Sequence, residues 1–163
     1  MSKLGMGAAV IYASVCLASP SQAQTAQDLV GAWRVVSITS PTPGRDAAAL
    51  GENPNGTIMF GSDGRFALIF VRSDLPKLAS NSRASGTPEE NRAIVQGSIA
   101  FYGTYAVEDA GRTLVMRIEN GTFPNWAGAE QRRPMTLNGN EFTYTTSGSG
   151  DNAARVTLRR ASS

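Results

Sequence analysis

Short apolar segments, separated by Gly, Asn, Asp and Pro, follow one another along the chain from residue 31 onward. Such a rhythm is typical of β-strands joined by tight turns. The clearest alternation is in residues 113–119, where Leu114, Met116 and Ile118 fall on one side. The pattern predicts eight strands, at residues 31–40, 56–60, 65–71, 99–107, 113–119, 131–137, 141–146 and 155–160.

Most of the predicted connections are short. Asp63-Gly64 and Asn138-Gly139 are expected to form hairpin turns, because Gly adopts positive φ at low cost. Eight strands connected in this way leave no exposed edge if they close into an antiparallel up-and-down barrel, which is wide enough for side chains or one small ligand. A β-sandwich with Greek-key crossings is the alternative. The barrel is favoured because most turns link strands that are adjacent in sequence.

One stretch departs from this all-β pattern. Residues 73–86 are polar and irregular, and Thr87-Pro88-Glu89-Glu90 then has the features of a helix start. Thr87 can cap, Pro88 suits the first helical position, and Glu90 completes a capping box. A short helix ending near Gly97 is therefore predicted between the third and fourth strands.

The N-terminus, residues 1–23, has the pattern of a cleavable signal peptide. Lys3 is followed by an apolar run over residues 4–18, and Ser21-Gln22-Ala23 offers small residues to a signal peptidase. A membrane anchor is the alternative, but the run is about fifteen residues and a span needs about twenty. Lipid attachment at Cys16 is disfavoured by the bulky Val15 before it. We expect cleavage near Ala23, one domain over 24–163, and a periplasmic or secreted protein.

Composition narrows the chemistry further. The chain has no histidine, and its single cysteine, Cys16, leaves with the signal. Catalytic sets built on histidine or cysteine and the usual zinc sites are thereby excluded. The carboxylates are scattered, so neither a metal nor a cofactor is predicted. The formal net charge is +2 without a basic face, so no nucleic-acid partner is expected, and no stable membrane span in the mature chain.

Gly31-Ala32-Trp33 opens the first predicted strand, and Arg160 ends the last. In the last strand Val156 and Leu158 share a face with Arg160, which indicates that Arg160 points inward. The segment Gly-x-Trp resembles the start of a lipocalin barrel, where an Arg of the final strand packs across the indole. The resemblance implies that Gly31, Trp33 and Arg160 close the barrel here.

Other segments extend the similarity to nearly the whole mature chain. In order they are Leu29-Val30-Gly31-Ala32-Trp33, Asn53-Pro54-Asn55-Gly56, Ser62-Asp63-Gly64-Arg65, Gly86-Thr87-Pro88-Glu89-Glu90, and Phe123-Pro124-Asn125-Trp126-Ala127-Gly128 with Gln131-Arg132-Arg133. Together they resemble the short bacterial lipocalin-like domain family. The resemblance implies a barrel with a helical insertion and a pocket, but no single activity. Members often carry histidine in the strand before Phe-Pro-Asn-Trp, and this chain has none there.

The barrel mouth is the default place for a pocket. Phe123 and Trp126 are candidates to cover a ligand, with Asn125 as a polar contact. Alternatively these aromatic residues plug the barrel and Asn125 makes a turn. Tyr105 lies on the more apolar face of its strand, and Tyr144 shares a face with its neighbour Phe142, so both tyrosines are candidate lining residues.

Gln131 and Arg133 share their parity with Met135 and Leu137, which aims both polar side chains inward. An inward arginine suggests an anionic group on the ligand, because a buried guanidinium needs a partner. The alternative is a structural ion pair with Glu119 or Glu130.

Three functions follow as hypotheses. The first is an exported barrel that binds a small apolar or amphipathic molecule in its interior. The second is a small enzyme, of the cyclase or isomerase kind, that acts on a hydrophobic substrate with Tyr, Glu and Arg groups, among them Tyr105 and Glu119. The third is an interaction protein with a filled barrel, which a large apolar patch on the outer surface would favour.

Overall fold

The computed structural model describes residues 23–40, 50, 53–146 and 153–162. The predicted signal peptide, apart from Ala23, lies outside the described residues, and so do Cys16 and most of the loop after the first strand. No helix in the described part of the chain is long and apolar enough to cross a membrane.

Eight strands and two α-helices make up the described chain, with single turns of 3₁₀-helix at Asp109–Gly111 and Pro124–Trp126. The predicted strands are all present, and most extend one or two residues further than predicted. In chain order the elements are α1 (Ala26–Leu29), β1 (Gly31–Thr39), β2 (Pro54–Phe60), β3 (Arg65–Arg72), α2 (Pro88–Gln96), β4 (Ser98–Glu108), β5 (Thr113–Gly121), β6 (Glu130–Asn138), β7 (Glu141–Thr145) and β8 (Arg155–Arg160).

Each strand pairs antiparallel with the next, and β8 pairs with β1, so the sheet closes into a barrel. The prediction of an eight-stranded up-and-down barrel with one helix between the third and fourth strands is confirmed. The sandwich alternative is wrong, because the described strands form one closed sheet in sequence order. Closure satisfies the backbone donors and acceptors that an open sheet would leave at two edges.

The helix α2 begins as its sequence predicts. The Thr87 hydroxyl accepts from the Glu90 amide at 3.2 Å, and the Glu90 carboxylate accepts from the Thr87 amide at 2.8 Å. A further bond from the Ala79 amide to Glu90, at 2.9 Å, ties the preceding loop to the helix. The hydrogen bonds that the Ala79 and Thr87 amides donate to its carboxylate hold the pKa of Glu90 below its usual value.

The two ends of the barrel differ. At one, here called the helix end, α1 lies across the barrel beside three short turns at residues 61–64, 109–112 and 139–140. At the other, here called the loop end, β1, β3, β5 and β7 end and β2, β4, β6 and β8 begin.

One irregularity in the sheet sets the packing of two strands. Tyr102 pairs with Asn120 and Gly103 with Ile118, so Glu119 is an extra residue in β5. A side chain at Gly103 would place its Cβ 1.9 Å from the carbonyl oxygen of Arg117. Only a glycine allows β4 and β5 to approach this closely.

Candidate functional site

Trp33 and Arg160 are in contact at the helix end. The Arg160 guanidinium lies over the indole, with its central carbon 4.2 Å from the ring centre. Its nitrogens donate to the carbonyl oxygens of Val30 at 2.8 Å and Asp28 at 2.6 Å. The indole nitrogen donates to Leu29 at 2.7 Å. These contacts hold α1 across the barrel.

Gly31 stands beside this contact. A Cβ there would lie 3.3 Å from a terminal nitrogen of Arg160, tighter than most real contacts. The structure thus brings together the three residues for which barrel closure is predicted.

Replacing Arg160 by methionine is expected to lower the free energy of unfolding by about 2 kcal/mol, since two charge-assisted hydrogen bonds and the contact with the indole are lost. Urea denaturation followed by circular dichroism measures this. Arg159→Met is the matched control. Arg159 is exposed on the opposite face, so its loss should cost less than about 0.5 kcal/mol. Equal losses in the two variants would contradict the assigned role.

Aromatic side chains fill the barrel above Trp33. Phe142 packs on Trp33 at 5.6 Å between ring centres, and on Phe60 at 6.0 Å. Tyr105 lies 4.7 Å from Phe60, and its hydroxyl donates to the carbonyl oxygen of Gly61 at 3.0 Å. Burial raises the pKa of Tyr105, with a smaller contribution from Asp63. Tyr105 therefore faces the interior at the helix end, with its hydroxyl already engaged by the backbone.

Arg133 is the most unusual side chain of the interior. It is 3% exposed and is the one buried polar or charged side chain among the described residues. Its guanidinium lies 4.9 Å from the ring centre of Tyr144 and 5.6 Å from that of Phe101. One terminal nitrogen donates to the Gln131 side chain, while Nε has no hydrogen-bond partner within the described chain.

This environment disfavours charge. Loss of hydration lowers the pKa of Arg133 from its ordinary value, and the facing Tyr144 opposes that effect. Burial likewise raises the pKa of Tyr144, against the influence of Arg133. Arginine stays protonated near neutral pH even so. The interior thus contains a positive charge, partly stabilised by two aromatic faces, one amide and a side-chain hydrogen bond with Tyr144.

The carboxylates proposed as alternative partners of Arg133 lie on the outer surface. Glu130 forms an ion pair with Arg117 at 2.9 Å, and Glu119 forms one with Arg65 at 2.7 Å. Both side chains are about 40% exposed. The structure therefore does not supply the structural ion pair that the sequence left open for Arg133.

A row of aromatic rings joins the loop end to Arg133. Phe123 packs on Trp126 at 5.3 Å between ring centres, and Trp126 packs on Phe101 at 5.5 Å. Phe101 in turn faces Arg133. Asn125 is exposed on the same turn. We call Phe123, Trp126 and Phe101 the aromatic row.

Two groups of predicted site residues are thus brought together. Gln131 and Tyr144 contact the buried guanidinium of Arg133. Phe123 and Trp126 are linked to it through Phe101. The sequence did not single out Phe101, although its parity with Tyr105 on one strand was a usable signal. Tyr105 is not part of this group, and Glu119 points outward, so the pair considered for catalysis does not converge.

Two surface features compete with the interior as a site. A pocket of about 420 Å³ at the helix end is lined by residues that include Asp28, Leu137 and Arg160, but this guanidinium already donates to backbone carbonyls. On the outer face, Met59, Ile69 and Tyr102 are about half exposed on neighbouring strands. Within the described parts of the chain, the interior has a buried charge with no anionic partner, and neither surface feature has one.

The chain matches a family model described as a lipocalin-like domain, over residues 30–160. This confirms the resemblance found in the sequence. No curated protein matches the chain. Among solved structures, a redesigned beta barrel is similar at 17% identity and a TM-score of 0.46, covering 89% of this chain and 100% of that one.

Proposed function

This chain belongs to the lipocalin-like domain family, and from that premise we propose that it binds one small amphipathic molecule inside the barrel. The molecule enters at the loop end and lies against the aromatic row. Below it, the rings of Tyr144, Phe142 and Trp33 fill the barrel down to α1. The binding site is therefore the upper half of the interior.

The aromatic row is the observation that supports this proposal. Phe123 is 45% exposed and Trp126 is half-buried, whereas Phe101 is buried. The three rings thus form a continuous apolar surface from solvent to the interior. Large, rigid rings of this kind contribute much of the affinity in binding sites, since they bury apolar area at a small cost in conformational entropy.

A neutral fluorophore tests the proposal. N-phenyl-1-naphthylamine is expected to bind the purified mature protein in a one-to-one complex, with increased emission. Trp126→Ala should weaken this binding by about 10-fold, which corresponds to about 1.4 kcal/mol. Tyr102→Ala, which removes an exposed ring from the outer face, is the matched control and should leave the affinity unchanged. An absence of binding, or equal losses in both variants, would contradict the proposal.

We propose further that the protein acts outside the cytoplasm, after removal of residues 1–23. The charged start, the apolar run and the small residues before Gln24 support this. Expression of the full chain in a bacterial host, followed by intact-mass measurement of the periplasmic fraction, should give a protein that begins at Gln24 and has no cysteine. Recovery of uncleaved chain from the membrane would contradict the export proposal but would leave the binding proposal intact.

A further inference from the structure

The buried charge has consequences for the kind of ligand. Placing a charged side chain in a protein interior costs several kcal/mol unless an opposite charge and hydrogen bonds compensate for the lost water. As compensation Arg133 has two aromatic faces, one amide oxygen and a side-chain hydrogen bond with Tyr144. In the part of the chain that the structure describes, no carboxylate is buried.

The donors of Arg133 are arranged for an anion. A guanidinium presents its N–H groups as a planar fork that fits the two oxygens of a carboxylate. Here one terminal nitrogen donates to Gln131, and Nε is buried with no acceptor among the described residues. Such a donor is costly to leave unsatisfied, and an anionic oxygen would remove that cost.

The position of Arg133 along the barrel sets the orientation of the ligand. Arg133 lies three residues along β6 from Glu130, where the strand begins at the loop end. At the usual rise per residue this is a depth of about 10 Å along the strand. Below it the rings of Tyr144 and Phe142 are in contact, at 5.6 Å. A head group bound to Arg133 therefore lies at the bottom of the site, with the ligand body extending toward Trp126.

From this geometry we infer that the ligand is a small monocarboxylic acid with an apolar body, bound head-down with its carboxylate on Arg133. The inference rests on the proposed function and adds to it the chemical class and the orientation. Gln131 is a positioning residue, because its amide oxygen holds one arm of the guanidinium. Phe101 and Trp126 contact the ligand body.

Decanoate and 1-decanol test the inference, as displacers of N-phenyl-1-naphthylamine at pH 8. The two have equal chain lengths and differ in the head group. The wild-type protein should bind decanoate about 10- to 100-fold more tightly than decanol, the range expected for hydrogen bonds to a charged group. Arg133→Met should remove this preference and leave decanol binding unchanged or tighter. Arg133→Lys, which retains the charge without the fork, should retain part of it.

Arg132→Met is the control, because Arg132 is the neighbouring residue and points outward. It should leave the preference intact. The urea midpoint of Arg133→Met should be unchanged or higher, because an apolar side chain of similar length replaces a buried charge. A large fall in that midpoint would assign Arg133 a structural role and overturn the inference.

Two further results would also overturn it, and they separate it from the proposed function. If decanol binds as tightly as decanoate, or if the preference survives Arg133→Met, the carboxylate assignment fails while interior binding stands. If neither compound nor the fluorophore binds, both fail together.

Discussion

Truncation of Trp33 to alanine is expected to lower the free energy of unfolding by about 3–5 kcal/mol, which is the usual cost of removing a large buried ring. Trp33 has no exposed surface, and its indole nitrogen donates to Leu29. The Arg160 guanidinium stacks on one face of the ring, and the ring packs against Phe142. Truncation would therefore leave a cavity and release α1 at the same time.

Chemical denaturation in urea, followed by far-ultraviolet circular dichroism, measures this loss. Trp126→Ala is the matched control because the chain has two tryptophans and this one lies half-buried near the loop end. Its truncation should cost about 1 kcal/mol. If Trp33→Ala does not fold, Trp33→Phe keeps a ring but loses the bond to Leu29, and should cost about 2 kcal/mol. Equal costs at the two tryptophans would refute the role of Trp33 in closure.

The strands and their inward faces could be predicted from the sequence because alternation in a strand assigns each side chain to one face. That rule alone places Arg133 inside, with Met135 and Leu137, and Arg160 with Leu158. It also places Glu130 on the opposite face of β6 from Arg133, so the sequence itself argues against an ion pair between these two residues.

Depth along the barrel could not be predicted in the same way. Tyr105 and Tyr144 both face inward, but they belong to different levels of the interior. Their levels depend on strand tilt and on register shifts, including those at Val35/Ser37 and Tyr102/Gly103. Parity does not contain this information. For the same reason the sequence does not predict the contact between Phe101 on β4 and Trp126, which lies in the turn between β5 and β6.

The two interior arginines show that one chemical group can serve opposite ends of the barrel differently. Arg160 lies at the helix end and finds its acceptors in the carbonyls that α1 leaves unpaired. Among the described residues Arg133 has no such backbone acceptor, because the strands around it use their carbonyls in the sheet. We therefore expect Arg160 to stabilise the fold and Arg133 to bind the anionic group of the proposed ligand.

The bulge between β4 and β5 gives the last prediction. Gly103→Ala is expected to lower the free energy of unfolding by about 3 kcal/mol, at the upper end of the cost of overpacking. The added carbon would lie 1.9 Å from the carbonyl oxygen of Arg117, and backbone cannot move aside as a flexible side chain can. The two strands must separate instead, which lengthens their hydrogen bonds and shifts Phe101 relative to β5.

Gly139→Ala is the control, since it separates crowding from backbone strain. Gly139 has a φ of +58°, and nothing lies within 4 Å of its added Cβ. Its substitution should cost about 1 kcal/mol, from the left-handed conformation alone. Urea denaturation of both variants, with fluorophore titration of each, compares stability with binding. Phe101 is part of β4 and would move with it. Gly103→Ala should therefore also weaken the binding of N-phenyl-1-naphthylamine, whereas Gly139→Ala should not. If Gly103→Ala is as stable as Gly139→Ala, β4 and β5 can separate without cost. The close approach at the bulge would then not determine the position of Phe101 in the site.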